Sequence, residues 1–200
     1  KGIAAAAAHP LGVGDAHYRF AEQAMWVDTV PFGSVYKKLI DQVGYFDEDL
    51  LANEDYEFNV RIRQSGGKIW LDPAIRSKYF ARGNYFDLAR QYWRYGFWKA
   101  LMLRRYATTI RWRQALPPAF VLSVFIFLTL SIWLPFARWI IMLELSIYIF
   151  VLFAAGFGVA LSKRDFSYIL SVPLAIASMH LSWGSAFLWS TLRVWVNQVN

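Results

Sequence analysis

Three long apolar runs, residues 119–136, 139–161 and 168–192, constrain the fold of this chain more than any other feature. Each is close to or above the ~18–20 residues that an α-helix needs to cross ~30 Å of hydrocarbon. They predict three membrane-crossing helices, the first opening after Pro117-Pro118. Glu144, inside the second run, is costly in lipid, so it is expected to face a neighbouring helix or lie near the interface. His180, in the third, reads as a packed, hydrogen-bonded residue rather than a metal ligand. Basic residues precede the first run, and Lys163-Arg164 separates the second from the third. The positive-inside rule puts both segments in the cytoplasm, Arg138 on the opposite side, and the C-terminus outside.

The overall hydrophobic fraction, 57% with 18% aromatic, exceeds the ~45–50% of ordinary soluble domains. The excess lies after residue 115, so two unlike regions are joined. With no cysteine, disulfides, thiolate catalysis and Cys-ligated zinc are excluded. His9, His17 and His180 show no metal-ligand spacing. Residues 1–80 carry nine Lys/Arg against eleven Asp/Glu, whereas residues 81–115 carry eight against Asp87 alone. A basic block abutting the first apolar run points to anionic membrane lipids as partners, and away from nucleic acid. The chain opens at Lys1 without a signal segment and enters an alanine-rich helix abruptly, which reads as the C-terminal portion of a longer protein.

In the first half, residues 3–8 are expected to be helical and to stop at His9-Pro10. Gly12-Val13-Gly14-Asp15 reads as a tight loop with no strand before it. Residues 26–32, carrying Asp28, read as an edge strand or strand end because Pro31 cannot donate to a ladder. A helix is expected over residues 34–43, with Leu39, Ile40 and Val43 as its apolar stripe. Another is expected over 53–65, capped by Asn53 and ended by Gly66-Gly67. Short strands are expected at 68–71 and 75–80, giving α/β alternation with an incomplete sheet. Residues 84–115 interleave aromatic rings with arginines and a lysine, the composition of a helix lying in the membrane interface. Three regions follow: 1–83, 84–115 and 116–200.

The chemistry-bearing stretch is Asn53-Glu54-Asp55-Tyr56-Glu57-Phe58. Carboxylates opening a helix are ordinary, because they complement its dipole. Their company is more specific. Around them, in order, stand Gly33-Ser34-Val35-Tyr36-Lys37-Lys38, Val43-Gly44-Tyr45-Phe46-Asp47-Glu48, Arg61-Ile62-Arg63, Gly66-Gly67-Lys68-Ile69-Trp70 and Asp72-Pro73. This succession resembles the acceptor-side half of family-2 glycosyltransferases over about residues 2–105. In detail it is most similar to membrane-attached bacterial enzymes of exopolysaccharide assembly, the succinoglycan-type synthases.

The resemblance implies a partial GT-A-type α/β domain, followed by the interfacial helix and the transmembrane helices, in a bacterial inner membrane. It implies inverting transfer of a sugar from a nucleotide-sugar donor to a lipid-linked or exopolysaccharide acceptor. Asp55 would be the general base, assisted by Glu54. A reference carboxylate pKa near ~4 means that burial has to raise it for that role. Asp28 and Lys37 would contact substrate, with the lysine near a phosphate. Gln91-Tyr92-Trp93-Arg94-Tyr95 is similar to the Gln-x-x-Arg-Trp signature of processive synthases, so Gln91, Arg94 and Tyr95 are substrate-binding candidates. Tyr95 replaces the tryptophan, which weakens a processive reading but keeps an aromatic face. A divalent cation, Mg or Mn, is implied for the complete enzyme, with its ligands upstream of Lys1. Asp47-Glu48-Asp49 has the spacing of a metal motif but sits in the Gly-aromatic-Asp-Glu turn, so no metal ligand is expected here. A non-enzymatic scaffold or transporter subunit is the remaining alternative, and it does not explain the ordered motifs around Glu54-Asp55.

Overall fold

A computed structural model describes residues 1–14 and 16–199, with the backbone alone at 108 and 194–199. Its elements are α1 (Gly2–Ala6), α2 (Pro10–Val13), β1 (Met25–Val27), α3 (Lys37–Val43), α4 (Glu54–Gln64), β2 (Ile69–Leu71), α5 (Tyr85–Arg105), α6 (Trp112–Leu130), α7 (Pro135–Lys163) and α8 (Tyr168–Val199). Single 3-10 turns lie at His17–Arg19 and Ala107–Thr109.

The long helix α8 is the hub. α5 lies along it in the same direction: the Tyr85 hydroxyl donates to the Ser171 carbonyl at 3.3 Å, and one helical stretch later Gly96 meets Trp183. α7 returns antiparallel, with Gly156 against Pro173 and Tyr148 beside His180. α6 crosses where Gly184 sits on the Pro117 carbonyl, and α1 seats Gly2 against Ser171. The shared core is Ile3, Ala6, Leu88, Tyr92, Leu152, Val172, Ala175, Ile176 and Met179. Complete burial of a residue such as Leu88 or Ile176 contributes about 1.5–3 kcal/mol relative to exposure.

Gly96 is where that packing is tightest. A Cβ added there would stand 2.2 Å from the Trp183 carbonyl oxygen, which belongs to another helix's backbone and cannot swing away. Alanine gains about 1 kcal/mol of helix propensity over glycine. Overpacking nevertheless costs about 1–3 kcal/mol, so Gly96→Ala is expected to be net destabilising. Thermal unfolding in detergent is expected to show a lower midpoint, and an unchanged or raised midpoint would refute the close approach.

α6, α7 and residues Tyr168–Arg193 of α8 are each long and apolar enough to cross a membrane. They differ in what surrounds them. α6 and α7 present Phe125, Trp139, Phe150 and Phe157 outwards, whereas α8 is the most buried of the three. Glu144 faces α6 as expected, accepting from the Ser123 hydroxyl. His180 is packed and hydrogen-bonded: Nε2 donates to the Leu11 carbonyl at 2.8 Å, leaving Nδ1 to accept from Tyr148 at 3.3 Å.

Several sequence expectations are corrected. The chain is mostly helical, and its sheet among the described residues is one two-stranded antiparallel ribbon, Met25↔Leu71, Trp26↔Trp70 and Val27↔Ile69. Residues 75–80 form no strand. Asp72 closes a turn by accepting from Ala74 and Ile75, and the chain then leaves for α5 instead of returning to the ribbon. The 34–43 helix starts at Lys37, and the 3–8 helix ends at Ala6. His9 is extended and caps the short α2, in which Gly12 lies. Asp15 lies outside the described residues. The interfacial helix expected to 115 stops at Arg105, and α6 begins at Trp112, ahead of Pro117-Pro118. Gln114 caps α6 by accepting from the Arg111 amide, which lets the helix start upstream of the prolines.

A second, smaller core holds the acidic helix in place. Phe58, Ile62 and Ile69 pack with Val27, Val30, Leu39, Ile40 and Val43, fastening α4 to the ribbon and α3. α4 itself carries Glu54, Asp55 and Glu57 in its first turn and Arg61 and Arg63 in its last, matching the helix dipole at both ends.

Candidate functional site

The first turn of α4 opens onto a cavity of about 2130 Å³. Its walls come from the α1–α2 segment, residues 28–35 and 77–82, one face of α5, the start of α6, and Tyr148, Met179, His180 and Trp183 of α7 and α8. Its lining thus combines the polar first turn of α4 with apolar residues of the helices suited to a membrane.

Asn53 does not cap α4 as expected. It adopts a left-handed backbone (φ 65°), a conformation that asparagine tolerates better than most residues. Its amide instead donates to the Tyr95 carbonyl at 3.2 Å, tying the acidic turn to α5. Asp55 follows directly. Its carboxylate accepts from the Tyr56 amide at 2.7 Å, and burial pushes its pKa above the usual aspartate value. Neighbouring Glu54, itself exposed, adds to that rise, while Lys99 opposes it.

Tyr56 is the keystone of the adjoining polar cluster. Its hydroxyl lies 3.3 Å from both Asp28 Oδ2 and the Thr109 carbonyl, and burial pushes the phenol to about 12. Asp28 is paired with Arg111 Nε at 3.1 Å. The Lys99 ammonium sits 3.4 Å from the centre of the Tyr56 ring.

On the α5 wall, Gln91 accepts from Arg82 at 3.0 Å and donates to the Tyr95 hydroxyl at 2.7 Å. Arg94 donates to the Leu51 carbonyl in the loop before α4. Of the residues singled out from the sequence, Glu54, Asp55, Asp28, Gln91, Arg94 and Tyr95 all line the cavity. Lys37 is not brought to it and stands exposed at the start of α3.

Asp47-Glu48-Asp49 does not fit a divalent cation. Asp47 is paired with Arg105, whose other nitrogen lies 3.9 Å from Asp49. Among the described residues, no three His, Cys, Asp or Glu side chains gather to hold an ion.

Sequence reasoning missed Lys99 and Arg111 as members of the site, and gave Tyr56 only a place in the acidic stretch. For Lys99 the signal was there: Gln91, Tyr95 and Lys99 recur every four residues, one face of a helix. Arg19 was also missed. It stacks 4.5 Å over Tyr79 and donates to the Ala7 carbonyl at 3.4 Å, beside the buried Tyr92. Arg111 and Arg19 carry no sequence periodicity that points to the cavity; the folded chain brings them there.

Comparison with known proteins finds curated relatives. The chain is 31% identical over 104 residues to dolichyl N-acetyl-alpha-D-glucosaminyl phosphate 3-beta-D-2,3-diacetamido-2,3-dideoxy-beta-D-glucuronosyltransferase of Methanococcus voltae, covering 52% of this chain and 32% of that protein. It is 26% identical over 187 residues to the succinoglycan biosynthesis protein ExoA of Rhizobium meliloti (strain 1021), covering 94% of this chain and 55% of that protein. The chain thus spans about a third and about half the length of these curated relatives. No family model matches it, and no solved structure matches it. The resemblance read from the motifs holds: this chain is similar to a glycosyltransferase and, along nearly all its length, to a succinoglycan biosynthesis protein.

Proposed function

We propose that this chain carries the acceptor side of an inverting, membrane-bound glycosyltransferase of family-2, GT-A type, which moves a sugar from a nucleotide-sugar to a lipid-linked acceptor. The observation that supports it most is the single cavity joining Asp55 to the apolar helix surfaces. Its polar lining includes Asp55, Gln91, Arg94 and Tyr95, and its apolar lining includes Leu116, Pro117, Phe120, Met179 and Trp183. A sugar headgroup and a hydrocarbon tail have matching surroundings in one continuous space.

In the proposed step, an acceptor hydroxyl oxygen attacks the anomeric carbon in line with the departing diphosphate. The hydroxyl proton passes to the Asp55 carboxylate, the bond from carbon to the diphosphate oxygen breaks, and the diphosphate leaves with that electron pair. Negative charge grows on the leaving oxygens, and Arg94 and Arg90 are cavity-lining cations available to neutralise it. Tyr95 offers a ring to the acceptor sugar, oriented by Gln91. Lys163-Arg164 and the basic residues around α5 support a cytoplasmic placement of the catalytic half at a bacterial inner membrane.

The test uses the full-length protein that carries this sequence, incubated with labelled nucleotide-sugars and membrane lipid extract. Label is expected in the organic-extractable fraction for at least one donor. Label confined to water-soluble glycan would remove the lipid-linked acceptor, and no transfer from any donor would overturn the enzymatic reading.

A further inference from the structure

The cavity contains a cation that the transfer step above does not use. Lys99, on the face of α5 that also presents Gln91 and Tyr95, lines the cavity with only 2% of its surface exposed. Among the described residues its hydrogen-bond acceptor is the sulfur of Met102, at 3.8 Å, and its ammonium rests on the Tyr56 ring at 3.4 Å. Neither contact supplies an anionic oxygen. The nearest carboxylates are otherwise engaged: Asp28 with Arg111 and Tyr56, and Asp55 with the Tyr56 amide. Arg63 on α4 and Arg111 before α6 face the same place and repel a further positive charge.

Burying an ammonium without a hydrogen-bonded anion is costly, and lysines so placed are rare unless paired. An aromatic face offsets part of that cost. The remainder is relieved by giving up the proton or by an anion that arrives with the ligand.

We propose that Lys99 is the anion-receiving residue of this cavity, its ammonium leaving the Tyr56 ring to bind a phosphate oxygen of the substrate. The assignment rests on the transferase reading for the identity of the ligand. The phosphate has two sources in such a reaction, the nucleoside diphosphate that departs and the phosphate of a lipid carrier. Burial holds the Lys99 pKa down to about 7, against the pull of Asp28 and Asp55. Near pH 8 the side chain is therefore mostly neutral when the cavity is empty, and an arriving phosphate dianion draws a proton from solvent onto Nζ.

Isothermal titration of the purified protein at pH 8, in two buffers of different ionisation enthalpy, counts that proton. Uridine diphosphate and farnesyl phosphate, titrated separately, distinguish the two sources. Wild type is expected to bind one of them with uptake approaching one proton. Lys99→Met, close in volume and uncharged, is expected to bind the same probe about 10- to 100-fold more weakly with no uptake, as for loss of a charge-assisted hydrogen bond. Lys99→Arg is expected to keep most of the affinity without uptake, because a guanidinium is always charged. Wild-type affinity and proton uptake in Lys99→Met would overturn the proposal, as would failure of both probes to bind the wild type. Sugar transfer measured alongside keeps the two readings apart. Transfer with Lys99-independent binding removes only the lysine, and Lys99-dependent binding without transfer removes only the enzyme.

Discussion

Asp55→Asn is expected to lower sugar transfer by roughly 100- to 10,000-fold, the usual contribution of a positioned general base. The amide keeps the shape of the side chain and can still accept from the Tyr56 amide, so the helix start is preserved. What it loses is the capacity to take the acceptor proton. Burial is the largest cause of the raised Asp55 pKa, with Glu54 adding to it. The sign for stability follows from linkage. A carboxyl whose folded pKa lies above its unfolded value binds more protons folded than unfolded across that interval. Its contribution to stability is present below the unfolded pKa and lost as pH rises through the raised one. At neutral pH the ionised form is therefore a burden on the fold, and asparagine relieves it. Asp55→Asn should unfold no lower than wild type while transfer collapses, and the two measurements together separate chemistry from folding. The acid limb of the wild-type rate profile is expected to lie above the ordinary aspartate range. Full transfer by the variant would reduce the acidic turn to a helix start.

Glu57→Ala is expected to have the largest effect on stability. Glu57 is 2% exposed, and its carboxylate accepts from Arg61 through both oxygens at 2.8 Å and from the Tyr106 hydroxyl at 2.7 Å. Arg61 in turn donates to the carbonyls of Val43 and Tyr45, closing the turn at Gly44. One side chain thus ties α4 to the turn before it and to the break between α5 and α6. Removing it strands the partly buried Arg61 guanidinium and the Tyr106 hydroxyl. Breaking a buried pair from one side costs about 3–5 kcal/mol. The lower figure is expected here because Arg61 keeps two carbonyl acceptors. For a chain of this size that corresponds to a midpoint roughly 6–12 °C lower. Tyr106→Phe, which removes one hydrogen bond to a charged group, should cost only about 1.5 kcal/mol. Equal losses in the two variants would show that the carboxylate is not the common anchor.

The acidic turn itself was legible because it is local: Glu54 and Asp55 sit at a helix start, and that helix ends at Gly66, which adopts a φ of +86°. The α5 candidates were legible for the same reason, since Gln91 and Tyr95 are one helical turn apart and meet directly. Lys37 shows the limit. A basic pair opening a helix has the same sequence pattern whether it meets a ligand or water, and the chain leaves it in water. Asn53 shows another limit, because its local preference for capping was overridden by a carbonyl on α5.

Sequence by itself determined the membrane-suited helices, the acidic helix start and the basic aromatic helix between them. Each follows from composition and periodicity within some twenty residues, where burial and backbone preference point the same way. Only the tertiary structure decided which apolar run is the most buried. α8 has the same kind of composition as α6 and α7, yet glycines at 96, 156 and 184 let backbones approach at its contacts and make it the hub. Tertiary structure also decided that Lys99, Tyr56, Asp28 and Arg111 share one polar cluster. Charge and aromatic content are properties of residues, whereas pairing them depends on distances that close only when α4, α5 and the start of α6 pack together.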